Sequence, residues 1–457
     1  MARANYSFDD KYLLTATVRR DGSSVLTAGR QYLTYPAFAF GWNADREDFL
    51  KDVSWVSNLK LRAGYGVTSS QSVAPYSTLG NLTINAYNFG ANGYNGYLVT
   101  SVPANLKFET TQNYNLGLDF GFLHNRISGS VDVYDQRTNN ILQTISLPPS
   151  NGAGSTLINA GKTKGTGLEI SLSSINVKTA SGFTWNTDFN ISFYRDAIVA
   201  LHDGLQQDPG NGWFVGQPFD VIYDYKKIGI WQTSQAAEAA KYGEKPGEIE
   251  VQDVNNDGKI NASDRQILGT YQPKFESGIT NRFAYMGIDL TFVAFARIGQ
   301  MVAVPYLGSD SGSSGYPFFN TGRVNQYKVD YWTPTNPTNE FPRPDASGTF
   351  PYASTLQYRD GSFIKMRSIN VGYTIPSNSL KKSGISAIRV FATCSNPFII
   401  WSPLTKSGLG IDPEGNGYGG TLVGASGYSA NAIGRAVTVG LNDPLTRTFQ
   451  LGVNVKF

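Results

Sequence analysis

The sequence lacks most of the residues on which soluble enzymes and disulfide-bonded domains depend. It contains a single cysteine, Cys394, so no disulfide can form within the chain and a zinc site built from several thiolates is excluded. Only two histidines are present, His124 and His202. Charged residues make up 16% of the chain, against roughly 25% in ordinary soluble domains. The net charge of +3 gives no strong attraction for nucleic acid.

Long apolar runs are also missing. No stretch approaches the length of about 18 apolar residues that marks a transmembrane helix, so none is predicted. The first thirty residues include Asp9, Asp10 and Arg19 without an apolar centre, which is not the pattern of a signal peptide. In place of charge, the 457 residues include 13% aromatic side chains and 49 glycines.

What the chain has in abundance is strict alternation of apolar and polar residues, the pattern of β-strands. In the closing segment, Phe449, Leu451 and Val453 fall on one side while Gln450 and Asn454 fall on the other. The same reasoning predicts about twelve strands along the chain. They lie near 11–20, 31–43, 57–68, 110–121, 126–137, 166–177, 183–195, 273–284, 287–298, 361–374, 386–398 and 446–457.

The length of these strands favours a membrane. Many run to about ten residues, longer than soluble strands and long enough to cross a bilayer when tilted. Charges inside the clean strands, such as Lys60, Arg62 and Asp119, lie on the polar side. A soluble sandwich shows the same alternation, with its apolar side facing a core.

The connections mostly alternate between long and short. Those at 69–109, 138–165, 196–272, 299–360 and 399–445 are long, whereas "FLHN", "KTASG" and "YMG" are short. Long loops outside and tight periplasmic turns are typical of outer-membrane barrels. The pattern places the end of the last strand in the periplasm and the 196–272 loop outside the cell.

Several segments resemble, in order, the barrel of SusC/RagA-type TonB-dependent transporters of Bacteroidetes. They include "YPAFAFGWNADREDFLK", "FETTQNYNLGLDFGFLHNRISGSVDVYDQRTNNIL", "GKTKGTGLEISL", "YWTPTNPTNEFPRP", "DGSFIKMRSINVGYTIP" and "DPLTRTFQLGVNVKF". The resemblance implies an all-β fold, an antiparallel transmembrane β-barrel of which this chain supplies about 12 of about 22 strands. Residues 1–457 would be the C-terminal part of that barrel, with long extracellular loops and no plug domain, so we expect a fragment, a truncated gene product or one half of a split barrel.

The resemblance also implies a function and partners. The chain would be the barrel of an importer for an oligosaccharide or peptide ligand in the Gram-negative outer membrane. Its partners would be a SusD-like surface lipoprotein, outer-membrane lipid and, through a plug that this chain does not contain, the TonB complex. Nucleic acid is not expected as a partner. Two alternatives stay open: a passive outer-membrane porin, and a soluble calcium-dependent carbohydrate-binding β-protein.

The segment "DVNNDGKINASD", residues 253–264, has the spacing of a calcium loop. Glycine at position 6 allows the sharp turn that such loops require, and hard oxygen ligands recur at alternate positions. The usual glutamate at position 12 is replaced by aspartate. The alternative is a turn held by bonds from Asx side chains to the backbone. The candidate ligands of a structural Ca²⁺ are Asp253, Asn255, Asp257, the backbone carbonyl of Lys259, and Asp264.

No catalytic residues are predicted, and the chain is not expected to be an enzyme. His124 lies in a predicted tight turn, and no G-x-S-x-G motif accompanies His202 and Asp203. The glycines of residues 408–434 are spread through a loop, unlike those of a phosphate-binding motif. Aromatic residues of the long loops either form stacking platforms for a ligand or pack against other loops. They include Trp213, Phe214, Tyr223, Tyr225, Trp231, Tyr316, Phe318 and Phe319.

Overall fold

The structure is a computed structural model in which long antiparallel strands dominate. It describes residues 1–89, 92–102, 104–148, 150, 152–304, 307–308, 329–344, 351–376, 384–409, 412–414, 417–418, 437–439 and 445–457. These residues form two compact units. Unit 1 comprises residues 1–174, 192–208 and 214–219, and unit 2 comprises residues 175–191, 209–213 and 220–457.

Strands make up most of the ordered elements. The first half of the chain forms β1 (Ala2–Phe8), β2 (Tyr12–Gly22), β3 (Tyr32–Asn43), β4 (Val56–Ser70), β5 (Asn81–Phe89), β6 (Asn92–Ser101), β7 (Glu109–Phe122), β8 (Ile127–Ser146), β9 (Ser155–Lys178), β10 (Thr184–Ala200), β11 (Gln207–Asp208) and β12 (Trp213–Phe214). The second half forms β13 (Val221–Asp224), β14 (Lys227–Ile230), β15 (Ile249–Val251), β16 (Gln266–Thr270), β17 (Phe275–Tyr285), β18 (Ile288–Ile298), β19 (Met301–Ala303), β20 (Tyr358–Asp360), β21 (Phe363–Ile375), β22 (Ala387–Trp401), β23 (Gly417–Tyr418), β24 (Val437–Thr438) and β25 (Thr448–Lys456).

Helices are few and short. The α-helices are α1 (Asp48–Lys51) and α2 (Ala236–Ala239). One-turn 3₁₀ segments occupy Ala44–Arg46, His202–Gly204, Thr233–Gln235, Ala240–Tyr242, Ala262–Asp264 and Ala353–Leu356, and a π-turn occupies Thr405–Leu409. No helix of the described chain has both the length and the apolar character needed to span a membrane.

In unit 1 the strands hydrogen-bond in the order β1, β2, β3, β4, β7, β8, β9, with every neighbouring pair antiparallel. The hairpin of β5 and β6 lies within the connection between β4 and β7. In unit 2 the order is β17, β18, β21, β22, β25, again antiparallel throughout. Strand β10 contributes residues 184–191 to unit 2 and residues 192–200 to unit 1. The all-β, antiparallel fold class predicted from the sequence is confirmed.

All twelve predicted strands are present, and several are longer than predicted. Strand β8 continues to Ser146 and β9 begins at Ser155, so these strands extend well into the 138–165 connection. Sequence analysis missed β1, whose apolar side is partly alanine. It also missed the β5–β6 hairpin, where Asn, Gly and Tyr obscure the alternation. The predicted tight turns are confirmed at Leu123–Asn125, where three consecutive residues have positive φ, and at Met286–Gly287.

The long connections contain cores of their own. In unit 1, residues of two connections, between β2 and β3 and between β4 and β7, bury a small cluster: Leu26, Val73, Ala104, Leu106 and Phe108. In unit 2 a larger cluster draws on β14, β15 and β19, on the segment between β19 and β20, and on residues after β22. Its buried members are Ile230, Ile249, Val251, Val302, Val304, Leu307, Trp332, Phe341, Leu356, Leu404 and Val439.

Candidate functional site

The two faces of the sheet differ sharply in exposure. One cross-strand row of unit 1 runs through Leu14, Phe40, Ala63, Leu116 and Val133. The large side chains of this row are 49%, 41%, 58% and 50% exposed, respectively. Because ordinary soluble sheets bury their apolar side against another layer, a continuous exposed apolar face needs an apolar environment.

The opposite face of unit 1 carries a paired charge network. Arg62 of β4 donates from Nε and Nη2 to the two carboxylate oxygens of Asp119, both at 2.8 Å. It also reaches Asp132 of β8, with Nη1 2.9 Å from Oδ1. The guanidinium crosses β7 above Gly117, where an added Cβ would lie 2.6 Å from both Arg62 and Asp132. Glycine is therefore required at this position if one arginine is to link three strands.

Unit 2 has the same arrangement, an arginine that pairs with a carboxylate across a glycine of the strand between them, formed by other residues. Arg389 of β22 donates from Nε to Oδ1 of Asp289 at 2.9 Å and from Nη2 to Oδ2 at 2.5 Å. Its side chain crosses β21 above Gly372, where a Cβ would come within 2.3 Å of the guanidinium. Arginine–carboxylate pairs of this bidentate kind hold fixed geometry as well as charge. In each unit an arginine thus pairs with a carboxylate across neighbouring strands.

A buried lysine ties one long connection of unit 2 to its sheet. The side chain of Lys365 on β21 is only 1% exposed, and its Nζ lies 2.6 Å from Asp412 Oδ2 and 3.3 Å from Glu414 Oε2. Arg367 donates to the other oxygen of Glu414 at 2.5 Å. Since an unpaired buried charge is costly, these contacts hold residues 412–414 in place. Lys365 and Arg367 are two residues apart, which places both cations on one face of a strand. This spacing is the feature of the sequence from which the contact site could have been predicted.

The aromatic residues of the described connections mostly pack against one another. Trp231 is 6% exposed and stacks on Tyr242 with ring centroids 6.0 Å apart. Tyr225 meets Tyr352 edge to face at 5.0 Å, and Phe214 is 8% exposed. For these residues the packing alternative is confirmed, and they do not form open stacking platforms. Tyr316, Phe318, Phe319 and most of residues 408–434 lie outside the described residues.

Two glutamates share a half-buried position beside the core of unit 2. Burial, together with a hydrogen bond to Glu248, raises the pKa of Glu244 from 4.5 to about 8. Glu248 in turn accepts from Arg343 Nη2 at 2.8 Å and from the backbone N–H of Lys245 at 2.7 Å. Burial and the nearby Glu244 also raise the pKa of Tyr352 to about 12. Glu244 therefore holds a proton near neutral pH that the unfolded chain would release.

The raised pKa of Glu244 makes the free energy of unfolding depend on pH, in a direction that follows from the shift. Because folding raises the pKa of Glu244, its stabilising effect is complete below pH 4.5 and is lost as the pH rises through about 8. We expect the unfolding midpoint of Glu244→Gln to decline less than that of the wild type across this window, measured by thermal denaturation at several pH values. Glu238→Gln, at a carboxylate paired with Lys241 on the surface, is the matched control. Identical pH profiles for the wild type and Glu244→Gln would contradict the assignment.

The calcium-like segment forms a tightly bonded turn. Asp253 Oδ2 accepts from the backbone N–H of Gly258 at 2.9 Å, and Asp257 Oδ1 accepts from that of Lys259 at 2.8 Å. Asn255 Oδ1 accepts from the backbone N–H of Asp257 at 3.0 Å. Asp264 is fully buried, and its oxygens accept from Val254 and Asn261 at 2.9 and 2.8 Å.

One atom of this turn has no partner. Asp253 Oδ1 is buried and makes no hydrogen bond, which is the state expected of a carboxylate oxygen that faces a cation. Within the described residues, however, no three His, Cys, Asp or Glu side chains are arranged around a common metal position. The bonds among these residues are those of the Asx-turn alternative, and calcium binding stays a prediction.

The two histidines lie where the sequence places them. His124 has a φ of 58° in the tight turn after β7 and is exposed. His202 has its Nδ1 3.1 Å from Asp203 Oδ2 in a surface turn.

Comparisons of the sequence with known proteins find similarity to TonB-dependent receptors. The sequence profile of the family described as "TonB dependent receptor-like, beta-barrel" matches residues 1–226. The chain is 32% identical to TonB-dependent receptor P3 of Formosa agariphila, covering 100% of this chain and 45% of that protein. It is 30% identical to TonB-dependent receptor SusC of Bacteroides thetaiotaomicron, covering 100% of this chain and 43% of that protein.

The fold has a solved counterpart. The RagAB peptide importer in its open-open state superposes with a TM-score of 0.75 at 19% identity, over 100% of this chain and 46% of that chain. The chain therefore spans less than half the length of the curated relatives and the solved structure that it matches.

Proposed function

Because the chain belongs to the TonB-dependent receptor β-barrel family, whose members reside in the outer membrane, we propose that it forms part of the barrel wall of an energised nutrient importer. The observation that carries the proposal is the separation of the two sheet faces. In unit 1, Leu116 and its neighbours are exposed on one face, while on the other face Arg62 pairs with carboxylates across strands. Unit 2 has a similar pair, formed by Arg389 and Asp289. This is the arrangement of a wall with lipid on one side and a water-filled path on the other.

The proposed cargo is an oligosaccharide or a peptide. The match to the RagAB peptide importer supports the peptide alternative, and the resemblance to SusC supports a related import system. In this proposal a SusD-like lipoprotein covers the long connections, and TonB acts through a plug domain. The buried clusters within the connections support such a role, since preorganised loops present a defined surface to a ligand or a lid.

Uptake experiments test the proposal. Cells in which the receptor carrying this chain is the sole route for a labelled oligosaccharide or peptide should take it up, and collapsing the proton gradient should abolish uptake. Uptake that survives collapse of the gradient would favour the passive porin instead. Recovery of the folded chain from the aqueous fraction without detergent would favour the soluble carbohydrate-binding protein.

We also propose that residues 253–264 bind a structural Ca²⁺. The partnerless Asp253 Oδ1 supports this role, because a hard cation would satisfy an oxygen that protein donors leave unbonded. The ion would stiffen the connection between β10 and β17 without taking part in transport.

Calcium titration followed by calorimetry tests the site. We expect heat on binding and a higher unfolding midpoint for the wild type, with both effects lost in Asp253→Asn. Asp203→Asn changes an exposed carboxylate in another turn and serves as the control. An unfolding midpoint that does not respond to millimolar Ca²⁺ would show that the turn is held by its own hydrogen bonds.

A further inference from the structure

The apolar face of unit 1 ends in a group of cations. Arg137 of β8 and Lys164 of β9 are direct cross-strand partners, and both are exposed. Lys162 follows on the same face of β9 and is also exposed. Arg195 of β10 lines a surface groove together with Thr166, two residues from Lys164. We call Arg137, Lys162, Lys164 and Arg195 the basic cluster.

The basic cluster brings four cations together, and two of them lie directly opposite each other on neighbouring strands. Asp135 accepts from Arg137 Nε at 2.6 Å and lines the same groove, and among the described residues no carboxylate forms an ion pair with Lys162 or Lys164. Like charges directly opposite one another on neighbouring strands destabilise a sheet. The Arg137 guanidinium is also held over the ring of Tyr114, 5.8 Å from its centroid, on the apolar face. An anion bound between Arg137 and Lys164 would offset the repulsion.

Next to the basic cluster lies an apolar groove of about 700 Å³. Its walls include Leu116, Val133, Leu168 and Phe193. Val133 is only four residues from Arg137 along β8, roughly 13 Å at the rise of a β-strand. The groove therefore runs up to the cations, and together they suit a molecule with an apolar chain and an anionic head.

The basic cluster lies at a definite height on the strand. Ten residues separate Arg137 from Ile127, which follows the tight turn, or roughly 33 Å along the strand. Strands of such barrels are tilted by about 40° from the membrane normal, so this length spans roughly 25 Å along the normal. That is the height of a lipid-facing apolar band. The basic cluster thus marks the border of the band on the side of the long connections.

We propose that the groove and the basic cluster bind a phosphate-bearing membrane lipid, with an acyl chain along Val133 and the phosphate between Arg137 and Lys164. The planar guanidinium presents paired donors that match the oxygens of a phosphate group, which is the anionic group of many membrane lipids. The inference rests on the proposed function, which places the apolar face in lipid, and it adds a preference among lipids.

Native mass spectrometry of the full chain in mild detergent tests this site. The protein is incubated with phosphatidic acid, with uncharged diacylglycerol, or with inorganic phosphate. We expect retention of phosphatidic acid at least tenfold above diacylglycerol, and loss of that preference in the double variant Arg137→Gln/Lys164→Gln. Val133→Phe, which fills the groove, should weaken retention of both lipids. Arg126→Gln, at an exposed arginine beyond the opposite end of the band, is the matched control and should behave as the wild type.

A second readout follows from the repulsion within the basic cluster. In low salt without lipid, Arg137→Gln/Lys164→Gln should unfold at a higher temperature than the wild type, and phosphatidic acid should stabilise only the wild type. Equal retention of the two lipids, or a preference that survives the double substitution, would overturn the lipid site and leave the importer intact. Retention of neither lipid would argue against placing this face in the membrane, and so against the proposed function itself.

Discussion

Replacing Leu116 by arginine should prevent stable insertion of unit 1 into a bilayer. The side chain is 58% exposed in the middle of the apolar face, next to Ala63 and Val133. A charge at the centre of the lipid-facing band of a β-barrel costs about 2–4 kcal/mol, which is a large part of the stability of most folded proteins. The measurement is equilibrium unfolding in phospholipid vesicles, followed by tryptophan fluorescence.

The matched control places the same charge on the other face. Ser130 of β8 lies opposite Asp119 of β7, so the arginine of Ser130→Arg would lie on the polar face, beside the Arg62–Asp119 pair, instead of facing lipid. We expect Ser130→Arg to change stability by less than about 0.5 kcal/mol. If Leu116→Arg were as stable as Ser130→Arg, the exposed apolar face would be in contact with water and the membrane placement would be wrong.

The second large effect is expected at Lys365. Changing it to methionine keeps the volume but leaves Asp412 and Glu414 without the ammonium that lies between them. Removing one partner of a buried ion pair costs about 3–5 kcal/mol, because the remaining charges stay desolvated. We expect Lys365→Met to release residues 412–414 from the sheet. Protease cleavage in that connection and the free energy of unfolding would report the loss.

Two further variants separate charge from packing at this position. Lys365→Arg keeps the positive charge and should recover part of the lost stability. Lys406→Met removes an exposed lysine from the same connection and should have little effect. If Lys365→Met were cleaved at the wild-type rate, the ion pairs with Asp412 and Glu414 would not be what holds this connection.

The sheet could be predicted from the sequence because its signal is local. Alternation with period two appears wherever one face meets an apolar environment and the other water, and β25 is the clearest case. β1 and the β5–β6 hairpin escaped detection since their apolar positions are partly alanine, glycine or asparagine. The ends of β8 and β9 escaped because adjacent apolar residues, Ile141 with Leu142 and Leu157 with Ile158, break the alternation there.

The site could be predicted only in part, for a different reason. Arg62 and Asp119 were placed on the polar side of their strands, but their meeting with Asp132 above Gly117 depends on the register of three strands. The contacts of Lys365 and Glu244 involve partners far away in the sequence or on buried turns, and periodicity carries no information about them. The calcium-like spacing was visible in sequence, whereas the hydrogen bonds that already occupy most of its oxygens were not.

Under the proposed function, the core shared by the connections of unit 2 constrains how the preference for a ligand can change. Ile230, Val302 and Leu404 come from three separate connections yet are buried in one cluster. Exchanging one connection for that of a relative would leave the others with a gap or a clash at their common centre. Gene recombination that changes ligand selectivity should therefore exchange all of these connections together. Chimaeric proteins in which only one connection is exchanged should rarely fold.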